Sequence, residues 1–207
     1  MKKIIAAAGA ALIALGVKGT VCAKILFFRE REAFLAVASQ PRLEDFEDNN
    51  LTENNIVSFS GYLDSTTKNS AFSPGDIETG IRFSAVGANI NELDLLAQGV
   101  LGVPSDVIGP SSFLSDLAIN FTEPVSQAGF DLLADLASGT VEVKIFGDSG
   151  LLATETVELA QQPTFFGVIF DADLITKIVI ANQSDTDFVG KLIDNVVFSS
   201  NDTAPNS

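Results

Sequence analysis

From Ile56 onward the chain is written in short runs of period two. TVEVKIF (140–146) sets Val141, Val143 and Ile145 against Glu142 and Lys144, and LAINF (117–121) points Leu117, Ile119 and Phe121 one way. IRFSA (81–85) alternates Ile81 and Phe83 with Arg82 and Ser84. Alternation of this kind suits a strand, whose successive side chains leave opposite faces, and would scatter apolar groups around a helix. IVSFS (56–60), ELDLLA (92–97), SQAGFDLL (126–133), LLATETVEL (151–159), FFGVIF (165–170), ITKIVIA (175–181) and KLIDNVVF (191–198) continue the series. Turn residues separate the runs: Glu123-Pro124 is read as a turn, GDSG (147–150) as a hairpin, and the Gly- and Pro-rich stretch 99–112 as a loop. Short strands at such spacing close into an antiparallel sandwich or barrel.

The first part of the chain adds less. KILFF (24–28) reads as a strand, and REREAFLAVAS (29–39) as a short helix with Phe34, Leu35 and Ala38 on one face, stopped by Pro41. LEDFED (43–48) is a short strand entering an acidic loop. Residues 1–23 carry Lys2 and Lys3, an apolar run from Ile4 to Val17, and Val21-Cys22-Ala23, which fits a cleavage site. They are read as a secretory signal peptide. One domain is expected over 24–199, followed by a polar, disordered tail over 200–207.

Cleavage after Ala23 removes the single Cys, so no disulfide is expected although export would permit one. The full chain has a formal charge of −15, and losing Lys2, Lys3 and Lys18 makes it more acidic still. Such a surface repels phosphates and anionic headgroups, which argues against nucleic-acid and membrane-surface partners, and attracts cations. No second apolar stretch is long enough to anchor the mature chain in a bilayer. There is no His and no Trp, and Tyr62 is the only Tyr, against 16 Phe. Imidazole and thiol chemistry are thereby excluded from the mature domain, zinc is disfavoured, and aromatic platforms for sugar stacking are scarce.

FFREREAFLAVASQPRLEDFED, LAINFTEPVSQAGFDL, VKIFGDSGLLATETV, FFGV and the closing IDNVVF follow one another in an order that resembles exported bacterial proteins of the PEP-CTERM, or exosortase-sorted, type. The resemblance covers most of residues 24–198. It implies a jelly-roll β-sandwich, similar to carbohydrate-binding modules and choice-of-anchor domains, and no settled activity. Family members end in a Pro-Glu-Pro motif, an apolar helix and a basic cluster; this chain stops at APNS and looks like a secreted relative without the sorting anchor.

One carboxylate stands out. Asp194 lies among Leu192, Val196 and Phe198, is read as facing the core, and needs a partner there. Jelly-roll binding modules similar to this family often hold a structural Ca²⁺ where first and last strands meet, and Phe46-Glu47 and Asp194 occupy such positions. Asp45, Asp48 and Asn195 could complete a set of oxygen ligands. The alternative is that Asp194 accepts hydrogen bonds from loop N–H groups without a metal.

The remaining motifs are bland. GDSG lacks the imidazole a serine nucleophile requires and the second copy an aspartic protease requires. Asp171-Ala172-Asp173 and Asp185-Thr186-Asp187 do not continue as calcium loops and are read as solvated acids. Sequons at Asn50, Asn120, Asn182 and Asn201 are expected to carry no glycan, the leader being of bacterial type. The expected function is non-catalytic: a secreted, surface or periplasmic β-sandwich with a structural or binding role toward matrix components or polysaccharide. The alternatives are a carbohydrate-binding module and a carboxylate-only glycoside hydrolase. The long loops at 61–80, with Tyr62, Lys68 and Phe72, and at 98–112 are the expected interaction surface.

Overall fold

The computed structural model describes residues 25–87, 91–134, 138–160, 162–171, 174–183 and 190–200. The signal-peptide reading of 1–23, the tail from 201 onward, Asp173 of the first acid pair and both acids of the second, Asp185 and Asp187, lie outside the described residues.

In chain order the elements are β1 (Ile25–Phe28), α1 (Arg31–Leu35), β2 (Arg42–Glu44), β3 (Ile56–Ser60), β4 (Tyr62–Asp64), β5 (Ile81–Gly87), β6 (Glu92–Leu96), β7 (Val107–Pro110) and β8 (Ser115–Ala134). Then come β9 (Gly139–Gly147), β10 (Gly150–Leu159), β11 (Thr164–Phe170), β12 (Ile175–Asn182) and β13 (Lys191–Ser200). Every pairing among the described strands is antiparallel. No helix among the described residues is long and apolar enough to cross a membrane.

β8 organises the fold. Its first half pairs with β5 on one side and β12 on the other, and its second half pairs with β11 and β13. One sheet therefore runs β10-β9-β12-β8-β5-β4 and the other β1-β11-β8-β13-β7-β6-β3, with β2 also on β13. A strand long enough to serve both layers makes the corner of a sandwich. The turn expected at Glu123-Pro124 is instead the interior of β8. Pro124 falls between Phe121, the last partner of β5, and Gln127, the first partner of β11. A residue without an N–H is tolerated where the ladder changes hands.

The period-two faces meet between the layers. Leu117, Ile119, Val143, Ile145, Ile178, Phe83 and Ile81 pack against Phe130, Leu132, Phe166, Val168, Ile193 and Phe198 in one buried cluster. Three smaller clusters lie outside the sheets, the largest of them (Leu96, Val103, Val107, Leu133, Leu192) beneath the 98–106 segment. Residues 99–112 were expected to be loop throughout, yet they contain β7, where Ile108 pairs with both Leu95 and Ile193. Its Gly109 is a packing residue: a Cβ there would sit 2.5 Å from the Lys191 carbonyl oxygen. The helix is shorter than its sequence suggested. Only Phe34 of it is buried, set between Phe28 and Phe165 at 5.6 Å from each.

Candidate functional site

The strand that meets the last one is the second: β2 lies along β13 with Glu44 opposite Val196 and Arg42 opposite Phe198, whereas the first strand, β1, pairs with β11. Asp194 itself does not face the core. Asp194 and Asp131 are cross-strand neighbours, and the register slips between Asp194 and Val197. Asn195 absorbs the slip with a φ of 51°. Because one extra residue inverts the parity of everything after it, Ile193, Val196 and Phe198 enter the core, whereas Leu192 and Asp194 lie on the outer face of β13. The expectation of an inward aspartate is thus corrected by a bulge.

Asp194 is nonetheless 3% exposed, covered by the 98–106 segment. The Ser105 hydroxyl donates to its Oδ2 at 2.5 Å, the Asn195 N–H to Oδ1 at 2.5 Å and the Asn195 side-chain amide to Oδ2 at 2.9 Å. Burial pushes the carboxyl up to about 6 against those hydrogen bonds, and the charges of Asp131 and Glu47 add to the rise. Arg31 of α1 offsets this concentration of acid. Its guanidinium meets Asp131 at 2.9 Å, donates to the Asn195 carbonyl at 3.1 Å and stacks over Phe165 at 4.8 Å.

The other acids expected beside Asp194 are divided between it and the surface. Glu47 Oε1 accepts the Asp106 N–H at 3.0 Å, which ties the post-β2 turn to the segment carrying Ser105. Asp106 in turn accepts from the Gln98 N–H at 2.7 Å and the Asn49 amide at 2.5 Å. Asp45 accepts the Glu47 N–H at 3.3 Å and closes a local turn. Asp48 lines an open polar groove of about 440 Å³ with Glu47, Asn49, Asn50, Ser73 and Asp76. Among the described residues no three acids are grouped closely enough to hold a metal ion.

A second buried carboxylate, unsuspected from sequence, lies beside these. Glu44 is 4% exposed, and its two oxygens accept the Phe46 and Glu78 N–H groups at 2.7 and 2.6 Å. Burial pushes it up to about 7 against those two bonds. Phe46 adopts a φ of 58°, which ends the strand expected over 43–48 and drops its ring onto Phe83 at 5.1 Å. Both shifted carboxyls are thus sealed, Glu44 by backbone N–H groups and Asp194 by Ser105 and Asn195.

The accessible chemistry is elsewhere, in the 61–80 segment. A groove of about 300 Å³ is lined by Phe59, Ser60, Tyr62, Thr66, Lys68 and Asn69. Tyr62 is 51% exposed, and the Arg82 guanidinium covers its ring at 4.1 Å. Arg82 is held by Asp64 at 2.8 Å, and Asp64 accepts the Thr66 hydroxyl and N–H at 2.7 and 2.9 Å. Burial raises the Asp64 carboxyl, but Thr66 and Arg82 outweigh it and hold it below the usual range. Phe72 is buried, so of the three residues singled out in this loop only Tyr62 and Lys68 line the groove.

No family model and no curated protein matches the chain. Among solved structures it is similar to a family 29 carbohydrate-binding module, with 12% identity and a TM-score of 0.41 over 70% of this chain and 90% of that one. A variant of such a module complexed with mannohexaose aligns at 13% identity and 0.43 over 79% and 94%, and one complexed with cellulohexaose at 12% and 0.41 over 70% and 92%. A superposition this partial transfers neither a ligand nor a site.

Proposed function

We propose that the chain is a non-catalytic β-sandwich of the cell exterior that binds a neutral polysaccharide in the groove beside Tyr62. The observation that carries this reading is the make-up of that groove. It pairs a half-exposed aromatic ring with hydroxyl and amide groups from Ser60, Thr66, Thr67 and Asn69, and Lys68 is its one charged side chain. Sugar rings offer an apolar face for an aromatic and a rim of hydroxyls for short polar side chains, so the lining matches a saccharide in both respects. A volume near 300 Å³ accommodates a short stretch of a chain rather than a whole oligomer. The non-catalytic part of the reading is supported by the sealed positions of Glu44 and Asp194. A general acid has to reach the substrate proton, and the bonds of these two carboxyls run to backbone N–H groups, the Ser105 hydroxyl and the Asn195 side-chain amide.

Affinity electrophoresis against neutral glucans and mannans, with a polyuronate as the acidic counterpart, tests the proposal. Retardation by a neutral polymer, weakened severalfold in Tyr62→Ala and absent with the polyuronate, is the expected pattern. Mobility unchanged by every polymer would refute it.

A further inference from the structure

An amine, a carboxamide and a carboxyl converge where β12 ends and β13 begins. Lys191 is 1% exposed. Its Nζ donates to Asn182 Oδ1 at 2.8 Å and to the Phe113 carbonyl at 3.0 Å. The Asn182 side-chain nitrogen donates to that same carbonyl at 2.8 Å. Asp116, on β8, accepts the Asn182 backbone N–H and faces the Lys191 ammonium. None of these residues belongs to the Tyr62 groove or to the Asp194 cluster.

We propose that Lys191 and Asn182 become joined by an isopeptide bond, formed within the folded chain with Asp116 as its acid–base partner. The reaction needs a neutral amine beside an amide carbon and a carboxyl that can give and take one proton. Burial supplies the first condition by pushing Lys191 down to about 8, against the pull of Asp116. It also raises the Asp116 carboxyl, against Lys191, the Asn182 N–H and Lys144. Both effects favour passing the ammonium proton to the carboxylate, because a low-dielectric site penalises the charged pair.

The Lys191 Nζ lone pair then attacks Asn182 Cγ, and the carbonyl electron pair moves onto Oδ1, which Asp116 protonates. The Nζ proton returns through Asp116 to Nδ2, the Cγ–Nδ2 bond breaks as the Cγ carbonyl re-forms, and the Oδ1 proton passes through Asp116 to the departing ammonia, which leaves as ammonium. Asp116 ends as it began, no electron is gained or lost, and no co-reactant is consumed. The Phe113 carbonyl holds the entering and the departing nitrogen on one acceptor, which positions both for the exchange.

The consequence is structural. β12 belongs to one sheet and β13 to the other, so the bond would staple the two layers of a sandwich whose chain has a single cysteine.

Tryptic digestion of the purified, folded full chain, denatured just before cleavage, tests the proposal. Trypsin cuts after Lys177, and next after Lys191 if that side chain is free; no Lys or Arg follows. The expected product is an undivided 178–207 peptide, lighter than its sequence by one ammonia. Release of a free 192–207 peptide from the wild type would overturn the bond, and would do so even if 178–191 had lost ammonia, since a succinimide at Asn182 leaves Lys191 cleavable. Asp116→Asn is expected to restore cleavage after Lys191 in a chain that still gives a β-sheet circular dichroism spectrum. A joined peptide from that variant would overturn the role given to Asp116. Should Asp116→Asn not fold, the wild-type digest decides alone.

Discussion

Asp194 and Glu44 are acids whose burial favours the neutral form, and this sets the sign of a pH effect. Each has a folded value, about 6 and about 7, above its ordinary value of 3.8 or 4.5. The folded state therefore binds these protons more tightly than the unfolded chain. Their contribution is most favourable below pH 4 and is lost as pH rises through 6 and 7. At about 1.4 kcal/mol per unit, each costs on the order of 3 kcal/mol by pH 8. The thermal midpoint is expected to fall between pH 5 and pH 8, and Asp194→Asn to flatten that decline, since its carboxamide oxygen still accepts from Ser105. A midpoint that climbs over this range would contradict the assignment. Arg31 is the counterweight at the same site. Arg31→Met leaves Asp131 and Asp194 facing each other across the ladder, with an expected cost of about 2 kcal/mol measured by urea unfolding. Of this site, the isolation of Asp194 among apolar neighbours was legible in the sequence. Its covering partner Ser105 was not, because it lies 89 residues away in a stretch that reads as loop. Lys191 had a signal that could have been used: it shares parity with the core residue Ile193, two positions on, so its ammonium had to be accounted for.

Elements went astray where Gly and Pro serve packing rather than turning. Gly109 and Pro110 look like loop punctuation, yet both sit in β7, and Gly109 is small because the Lys191 backbone passes against it. Gly109→Ala would have to push β7 away from β13, at an expected cost of about 1–3 kcal/mol in chemical unfolding; an unchanged midpoint would show the approach to be looser than drawn. The Asp148-Ser149 turn is the contrary case. Gly147 faces Gly150 across a two-residue connection, and Gly150 takes a φ of 111°, which only glycine adopts without strain. GDSG was readable as a hairpin because local chemistry alone decides such a turn. β8 was read as two strands because a proline within a run usually ends it, and no local signal says that two sheets share one strand.

At the scale of the molecule, two layers share β8, and β12 and β13 leave it on opposite sides of the core. A stabilising link between those layers is worth most under conditions that pull them apart. If the Lys191–Asn182 bond forms, Lys191→Arg is expected to lower the thermal midpoint by several degrees while leaving polysaccharide retardation intact, the Tyr62 groove lying on the end of β3, on β4 and on the segment after it. Loss of retardation together with the midpoint would mean that the groove depends on the staple.

The amino-acid pattern by itself determined the all-β class, the approximate limits of most strands and the GDSG hairpin. These follow from alternation and turn chemistry, which act over a few residues. Tertiary structure alone decided that Asp194 faces outward, that Ser105 and Arg31 satisfy its surroundings, and that Lys191, Asn182 and Asp116 share one enclosure. The reason is physical: a single-residue bulge inverts a strand's faces without altering its composition, and burial, which moves the proton affinities of these groups, is a property of what packs over them rather than of the residues themselves.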